Sequence, residues 1–376
     1  MRRLAILLLS TFSVVSLSFS LPKFSIRTGA KCSSCHVNPT GKGMRTEFGQ
    51  NFGREDLPMA TFRETTDLED YSTRLSPNIN FGGDFRTLMF YEQGTGVSST
   101  FQMQGDLYID FKLNKVLSFY YDKGIYSGFE VFGLAKILPA NGYVKVGQFI
   151  PAYGTKVDDH NAFIRGGDRS GVFGGFLPNG YPAGLRFGER SEDGGVEIGF
   201  SPGIFSFQVD LLNGNPGGGA AAAAGDRFKT VSLRGEGLMK FGQIKTSLGG
   251  SIYNSPNATG RSTFYGAFGA ISPLEELSLN AEFDIVETMA GATTKQGMII
   301  WSELNYVVSP GIELKLGYSF YDPDRDLANG SITRITLGAE IFPLAGVELR
   351  PMLWINSAAP TSLDNNQFLL MTHFYL

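Results

Sequence analysis

From Pro77 to the last residue, apolar and polar residues alternate with a period of two in stretch after stretch. Glu276 to Ile285 is apolar at its odd-numbered positions and polar at its even-numbered ones, and Gly311 to Phe320 has the same pattern with the numbering reversed. Successive side chains of a β-strand point to opposite faces of its sheet. The alternation therefore predicts many strands with one apolar face, and an all-β architecture for residues 77–376.

The connections between these strands distinguish two all-β architectures. Tight turns such as Ser201–Gly203 and Ser309–Gly311 lie between longer polar stretches, predicted as loops, such as Asn213 to Asp226, Glu287 to Thr294 and Asn356 to Asn366. A soluble sandwich also has alternating strands. However, the unequal connections, the 48 glycine residues and the apolar final stretch Phe368 to Leu376 favour a membrane barrel. We predict a transmembrane antiparallel β-barrel of about 16 strands.

The polar faces of the strands would line the lumen of this barrel, and they carry both signs of charge with no ring of one sign. The charged residues predicted to point inward are Asp110, Lys112, Lys136, Asp210, Glu282, Glu303, Arg334, Glu340 and Arg350.

The longest excursion between strands, Pro151 to Pro182, is predicted to fold back into the lumen. Its densest group of polar residues is Asp158, Asp159, His160, Arg165, Asp168 and Arg169. We interpret this group as a salt-bridged constriction. The alternative is a contact for a metal ion or a substrate.

The N-terminus is typical of a secretory signal peptide. Basic residues at Met1–Arg3 precede an apolar run from Leu4 to Val15 and small residues at Ser18–Ser20. The apolar run is shorter than the roughly 20 residues that a membrane-spanning helix needs. We expect residues 1–20 to be removed on export. They would be followed by a short segment at 21–60, a polar linker at 61–76 and the barrel at 77–376.

The short segment contains the chain's two cysteines, in the order Cys32-Ser33-Ser34-Cys35-His36. C-x-x-C-H is the attachment signature of c-type haem, in which the two thiols bond to the porphyrin and the adjacent imidazole binds the iron. The alternative is a tight disulfide of an exported protein. No βαβ pattern of the thioredoxin type surrounds the motif, so the sequence favours one covalent haem c. About forty residues cannot bury a core alone, so haem or the barrel interior must stabilise this segment.

The ligand on the other side of the iron has several candidates. Met44 lies eight residues after His36, and the intervening glycines give it the reach to wrap around the porphyrin edge. Met59 is a second local candidate. His373 is predicted to face the lumen near the inner rim and is a third, although a solvated lumenal histidine is the plainer interpretation. The sixth position could also be open or filled by water.

Residues Phe24 to His36, Pro39 and Glu47 to Phe52 resemble the fused monohaem cytochrome–porins, a family that includes outer-membrane iron oxidases. The resemblance is close over about thirty residues and extends to the barrel only in architecture. The family's Gly-Tyr after the second Phe is absent, because Gly53 is followed here by Arg54. The stretch Asn38 to Gly41 is more similar to a broader set of haem-bearing porins.

We therefore expect a protein of the cell outer membrane that moves electrons across it, with its haem at the periplasmic mouth or inside the lumen. The resemblance implies Fe(II) as a candidate electron donor, and so an Fe(II):cytochrome c oxidoreductase activity. Expected partners are membrane lipid, periplasmic or external cytochromes, and Fe(II) or another external electron donor or acceptor, so that electrons could flow inward from Fe(II) or outward to a mineral. The net charge of −4 disfavours nucleic acid. The alternative function is a passive porin in which the haem segment is a plug or a docking element.

Overall fold

The computed structural model describes residues 22–59, 72–94, 96–125, 129–157, 162–165, 185, 187, 191–214, 229–256, 260–291, 293–358 and 366–376. The predicted signal peptide, most of the linker, His160 and its acidic neighbours, and the glycine-rich stretch at 217–225 lie outside these residues. No helix among the described residues is long and apolar enough to cross a membrane.

Sixteen antiparallel strands form a closed barrel, which confirms the predicted fold class. Each strand from β2 onward pairs with the next, and β17 pairs with β2 from Gln367↔Glu92 to Tyr375↔Asp84 to close the ring. A short β1 pairs only at the beginning of β2. The strands are β1 Arg74–Ser76, β2 Ile79–Glu92, β3 Ser98–Lys112, β4 Leu117–Gly124, β5 Phe129–Leu138, β6 Gly142–Phe149, β7 Asp193–Phe200, β8 Phe205–Leu212, β9 Thr230–Phe241, β10 Ile244–Pro256, β11 Gly260–Leu274, β12 Leu277–Ala290, β13 Thr293–Ser309, β14 Ile312–Asp322, β15 Ile332–Leu344, β16 Val347–Ala358 and β17 Gln367–Tyr375.

The period-two alternation has the predicted meaning in the barrel wall. In β12, Leu279 and Phe283 are each 41% exposed on the outer face, whereas Asn280 and Glu282 are buried on the inner face. Seven of the nine charged residues predicted to point inward are buried; Lys112 and Lys136, near strand ends, are exposed. The apolar outer face is the surface that lipid requires, and the polar inner face surrounds the lumen.

Short turns gather at one end of the barrel, which we call the turn end, and longer connections at the other. The turn end carries the connections 113–116, 139–141, 201–204, 242–243, 275–276, 310–311 and 345–346. One predicted long loop is wrong: Glu287 to Thr294 is mostly strand, because the β12–β13 ladder continues to Ala290↔Thr293. The turn there needs only residues 291 and 292, and Gly291 supplies a positive φ of 60°.

The N-terminal segment lies inside the barrel at the turn end. It contains helix α1 (Pro22–Thr28), a 3-10 turn (Cys32–Ser34), helix α2 (Glu47–Asn51) and a π-helical turn (Phe52–Asp56). We call residues 22–59 the plug. Its helix α1 packs against β10, β11 and β12, while its residue Met44 reaches β4 on another side of the wall. The plug is therefore surrounded by strands.

A second segment also enters the lumen, as predicted for the long excursion after β6. Backbone amides of its first residues donate to carboxylates of the wall: Ile150 to Glu130, and Ala152 to Asp210, each at 2.8 Å. Phe163–Arg165 form a buried 3-10 turn. We call residues 150–157 and 162–165 the constriction loop. The described residues of the plug and of this loop both lie inside the barrel.

Candidate functional site

The cysteine-histidine motif forms a single tight turn in the plug. The amides of Cys35 and His36 both donate to the carbonyl of Cys32, at 3.2 and 3.0 Å. This turn brings the two thiols and the imidazole together on a short piece of backbone. The cysteines are not joined in a disulfide.

A short antiparallel ribbon orients the histidine. His36 pairs with Arg45, and the amide of Val37 donates to the carbonyl of Met44 at 3.0 Å. The Nδ1 atom of His36 lies 3.2 Å from the carbonyl oxygen of Gly43. If Nδ1 carries the proton and donates it there, the lone pair is on Nε2. This is the tautomer that a metal-ligating histidine needs, with its second nitrogen fixed by a carbonyl.

Two glycines permit the close packing of this site. A Cβ added at Gly49 would overlap the carbonyl of Cys35, so α2 can rest on the cysteine turn only with glycine there. A Cβ added at Gly43 would overlap the hydroxyl of Tyr120 on β4, and Gly43 has a φ of 64°. The backbone next to the motif is thus fitted both to its own helix and to the barrel wall.

The wall holds the plug near the motif through two polar contacts. The Tyr120 hydroxyl accepts a hydrogen bond from the amide of Met44 at 3.1 Å. Lys145 of β6 donates to the side-chain oxygen of Asn38 at 3.3 Å and pairs with Glu197 at 2.8 Å. Both contacts attach the stretch directly after His36 to the inner face of the barrel. Sequence reasoning missed Tyr120 and Lys145, although each sits at an inward position of its strand.

The structure separates the candidates for the sixth iron ligand. Met44 is 1% exposed and packs in the core cluster of the lumen with Tyr120. Side chains alternate along the ribbon, so Met44 leaves it on the face opposite His36. Met59 lies at the turn end, where its amide donates to the carbonyl of Phe342.

His373 faces the lumen, as the alternation in β17 predicts, but two carboxylates hold its ring. Its Nδ1 lies 2.8 Å from Glu348, and its Nε2 lies 3.1 Å from Asp84. The structure therefore engages His373 in the wall and does not place it as a vacant ligand.

The two plug phenylalanines after the motif have different environments. Phe48 is 46% exposed, whereas the ring of Phe52 packs edge-on against Phe24 of α1 at 5.3 Å. Phe52 thereby joins α1 to the turn after α2.

Charged residues surround the half-buried Cys32. Burial raises the pKa of its thiol, and the carboxylate of Glu236 raises it further. The cations of Arg234 and Lys156 oppose that shift of the thiol pKa. For Lys156, burial and neighbouring cations lower the amine pKa to about 8.

The residues of this site fit a covalent haem by the chemistry of their donors. Two unbridged thiols and an imidazole share one turn, and the second nitrogen of that imidazole faces a carbonyl. Within the described ranges, no group of three His, Cys, Asp or Glu side chains is arranged to hold a separate metal ion. The predicted constriction cluster is described only at Arg165, which pairs with Glu282 at 3.5 Å.

No protein-family model matches the chain, and no curated protein sequence matches it. Solved structures do share its fold. A loop-deletion mutant of OmpT, an outer membrane protein of Vibrio cholerae, is 15% identical with a TM-score of 0.54, covering 79% of this chain and 99% of that one.

Two further structures have comparable similarity. The outer membrane channel DcaP of Acinetobacter baumannii is 10% identical with a TM-score of 0.53 and covers 81% of this chain and 99% of that one. The anion-selective porin from Comamonas acidovorans is 13% identical with a TM-score of 0.53 and covers 79% of this chain and 99% of that one. At these identities the similarity establishes the barrel fold.

Proposed function

We propose that this protein is an outer-membrane barrel closed by its own N-terminal plug, and that the plug carries one covalent haem c that moves electrons through the barrel. Cys32 and Cys35 hold the haem, and His36 binds its iron. The solved structures that share the fold are outer-membrane channels and porins, which supports the location.

The position of the plug is the observation that carries this proposal. Its cysteine turn is attached to residues that face the lumen, among them Tyr120 and Lys145. A haem on that turn would lie within the barrel wall and not in the periplasm beside it. The apolar band of such barrels is about 25 Å tall, so a haem inside it shortens the distance that electrons must cross to an external partner.

Each protein group has a defined task in this proposal. Haem supplies a one-electron redox couple when it is bound. The Gly43 carbonyl, 3.2 Å from Nδ1 of His36, would hold a proton on that nitrogen and leave Nε2 for the iron. Cys35 and His36 are buried in the plug. Met44 is proposed as the sixth ligand, which would require it to leave its packed position against Tyr120. Loss of a sulfur-ligation band in Met44→Leu would support that role, and a persisting band would exclude it.

The external donor or acceptor is proposed from the resemblance of the N-terminal segment to cytochrome–porins. Fe(II) is the proposed donor, and soluble periplasmic cytochromes are the proposed acceptors. Phe48 on α2 is 46% exposed, and it is the part of the plug that we propose for contact with a periplasmic protein.

A passive porin with a structural plug is the second candidate. It is favoured by the shared fold with proteins that are described as channels and an anion-selective porin. An open porin needs a continuous aqueous path. Here the plug and the constriction loop both occupy the lumen, which favours electron transfer over solute diffusion.

One reconstitution separates the two functions. Purified protein is first assayed for haem by the pyridine haemochrome spectrum, with a Cys32→Ser, Cys35→Ser variant as the control. Liposomes that contain cytochrome c are then prepared with the protein, and Fe(II) is added outside. Reduction of the trapped cytochrome without leakage of a small dye supports the conduit. Dye leakage without haem or reduction would establish the porin and overturn the conduit.

A further inference from the structure

Thr46 lies between the cysteine turn and helix α2 and makes hydrogen bonds to both. Its amide donates to the carbonyl of Cys35 at 2.8 Å, and its hydroxyl donates to the carbonyl of Ser34. The same hydroxyl accepts from the amide of Gly49 at 3.3 Å, which makes Thr46 the N-cap of α2. One residue therefore connects two consecutive carbonyls of the turn to the beginning of the helix.

The two carbonyls that Thr46 binds belong to the peptide planes on either side of Cys35. A peptide unit is planar, so fixing its carbonyl also fixes the following amide. The amides of Cys35 and His36, which lie in these two planes, both donate to the carbonyl of Cys32. Each plane is thus held at its oxygen and at its nitrogen. This fixes the direction in which the side chain of Cys35 leaves the backbone, and it fixes one of the two planes that flank His36.

The bonds to the side chain of Thr46 require a hydroxyl at this position. A hydroxyl can donate one hydrogen bond and accept others through a single oxygen, whereas a carboxylate only accepts. Serine, threonine, aspartate and asparagine all cap helices well, so capping alone would allow any of them. The bond to Ser34 needs a donor in addition. The methyl group of threonine restricts χ1, which keeps the hydroxyl between its two partners.

We propose that Thr46 is a positioning residue for the haem, because it holds the cysteine turn in the arrangement that presents the Cys35 thiol and the His36 imidazole to one porphyrin. This inference rests on the proposed function, since it needs a haem bound by the cysteine motif. The close packing of α2 on the turn supports it, because a Cβ added at Gly49 would overlap the carbonyl of Cys35. Thr46 acts on the iron through Cys35 and His36.

Three variants separate this role from helix capping. Thr46→Ser keeps both functions of the hydroxyl, and Thr46→Val loses both. Thr46→Asp, combined with Glu47→Gln to keep the net charge constant, retains an acceptor for α2 but offers no donor to Ser34. Thr28→Val is the matched control, because the Thr28 hydroxyl donates to a backbone carbonyl within α1 at 2.6 Å.

Hydrogen exchange in the haem-free protein, followed by mass spectrometry, measures the order of the turn independently of the cofactor. We expect the amides of residues 35–37 to exchange about tenfold faster in Thr46→Val and in the Thr46→Asp, Glu47→Gln variant, the factor that corresponds to one lost hydrogen bond. Exchange of these amides in Thr46→Ser and Thr28→Val should match the wild type. Faster exchange confined to residues 47–51 would show that Thr46 only caps the helix and would overturn the inference.

The haem-loaded protein supplies the second readout. The electron paramagnetic resonance spectrum of ferric haem depends on the orientation of its axial imidazole. Thr46→Val and the Thr46→Asp, Glu47→Gln variant should therefore show shifted or broadened signals, whereas Thr46→Ser should retain the wild-type spectrum. Different gel migration of heated and unheated samples checks that each variant forms the barrel. A haem-loaded Thr46→Val with the wild-type spectrum would overturn the inference alone. Absence of covalent haem from the wild type would overturn the proposed function and this inference together.

Discussion

The amine of Lys23, in the first helix of the plug, forms a buried ion pair with Glu340 on the inner face of β15. It also lies 3.4 Å from Glu313 on β14, and Glu313 in turn accepts from Arg27 at 2.5 Å. Lys23 and Glu340 are 317 positions apart in the sequence, and Arg27 and Glu313 are 286 positions apart. We call Lys23, Arg27, Glu313 and Glu340 the latch, because they fasten α1 to the barrel wall.

Opening the latch should release the plug. Removing one partner of a buried ion pair typically costs about 3–5 kcal/mol, because the other charge is left uncompensated. We expect Lys23→Gln with Arg27→Gln to raise single-channel conductance in planar bilayers and to expose the plug to trypsin. The matched control is Lys31→Gln, whose amine donates only to the carbonyls of Gly203 and Phe205 at the rim. Unchanged conductance in the double variant would show that the latch does not retain the plug.

Because Gly43 and Tyr120 are in contact, the effects of substitutions at these two positions on the stability of the plug should not be additive. Gly43→Ala should destabilise the plug, because the added methyl group overlaps the tyrosine hydroxyl and φ is positive. Tyr120→Phe alone should cost about 1–3 kcal/mol, because the buried amide of Met44 loses its acceptor. Combined, the two changes should cost less than their sum, since phenylalanine removes the atom in conflict. Protease protection of the plug measures this, and strict additivity would contradict the contact.

His373 should support the wall and leave the haem unaffected. His373→Gln is expected to keep the absorption and resonance Raman spectra of the haem, because both ring nitrogens already face Asp84 and Glu348. The free energy of unfolding should fall by about 1–3 kcal/mol, because the contacts of the imidazole with the two carboxylates are lost. A changed Soret band in a correctly folded variant would instead make His373 an iron ligand.

The Cys32 thiol should react slowly in the folded, haem-free barrel. Its pKa is raised by burial, so less thiolate is present at any given pH than for an ordinary cysteine. We expect the rate of alkylation by iodoacetamide to be still rising above pH 9. Arg234→Gln should shift the profile to higher pH, because it removes a nearby cation that stays charged in this range. The same protein in denaturant supplies the reference profile. If the alkylation rate of the folded protein has the same midpoint pH as that of the denatured protein, the Cys32 thiol is not buried.

A charged residue introduced on the outer face in the middle of a strand should destabilise the barrel. Leu316 in β14 is 47% exposed on that face, and arginine there should destabilise the protein by about 2–4 kcal/mol if the position lies at the bilayer midplane. Leu327, 58% exposed in the loop 323–331, is the control and should accept arginine with little effect. Equal stability of the two variants in lipid bilayers would contradict a lipid-facing β14.

The sequence predicts the wall of the barrel well because strand faces are a local property. Period-two alternation correctly indicates sixteen strands and assigns His373 and Met371 to the lumen. The loop assigned to Glu287 to Thr294 is wrong because polar composition alone suggested it. In the structure Gln296 donates to Glu287 at 2.9 Å, so polar side chains pair across the ladder and extend it.

The interior arrangement could not be predicted, because its contacts join distant parts of the chain. Lys23 and Arg27 have ordinary sequence surroundings, and many carboxylates of the wall could have paired with them. The partner of Met44 likewise depends on the depth at which the plug meets β4. The three residues of the cysteine motif predict its chemistry, whereas its placement inside the barrel depends on ion pairs that only the folded chain reveals.

The latch has a consequence for the order of assembly. Glu313 belongs to β14 and Glu340 to β15. The guanidinium of Arg45 in the plug also lies over the ring of Tyr375 on the last strand, with its Cζ atom 4.4 Å from the ring centroid. The docking surface for residues 22–59 is therefore complete only after the final strand has been made and the ring has closed. If the chain is exported from its N-terminus, the plug would emerge before the strands and be seated after them. Until then Cys32 and Cys35 would remain outside the barrel, where the proposed haem could be attached to them.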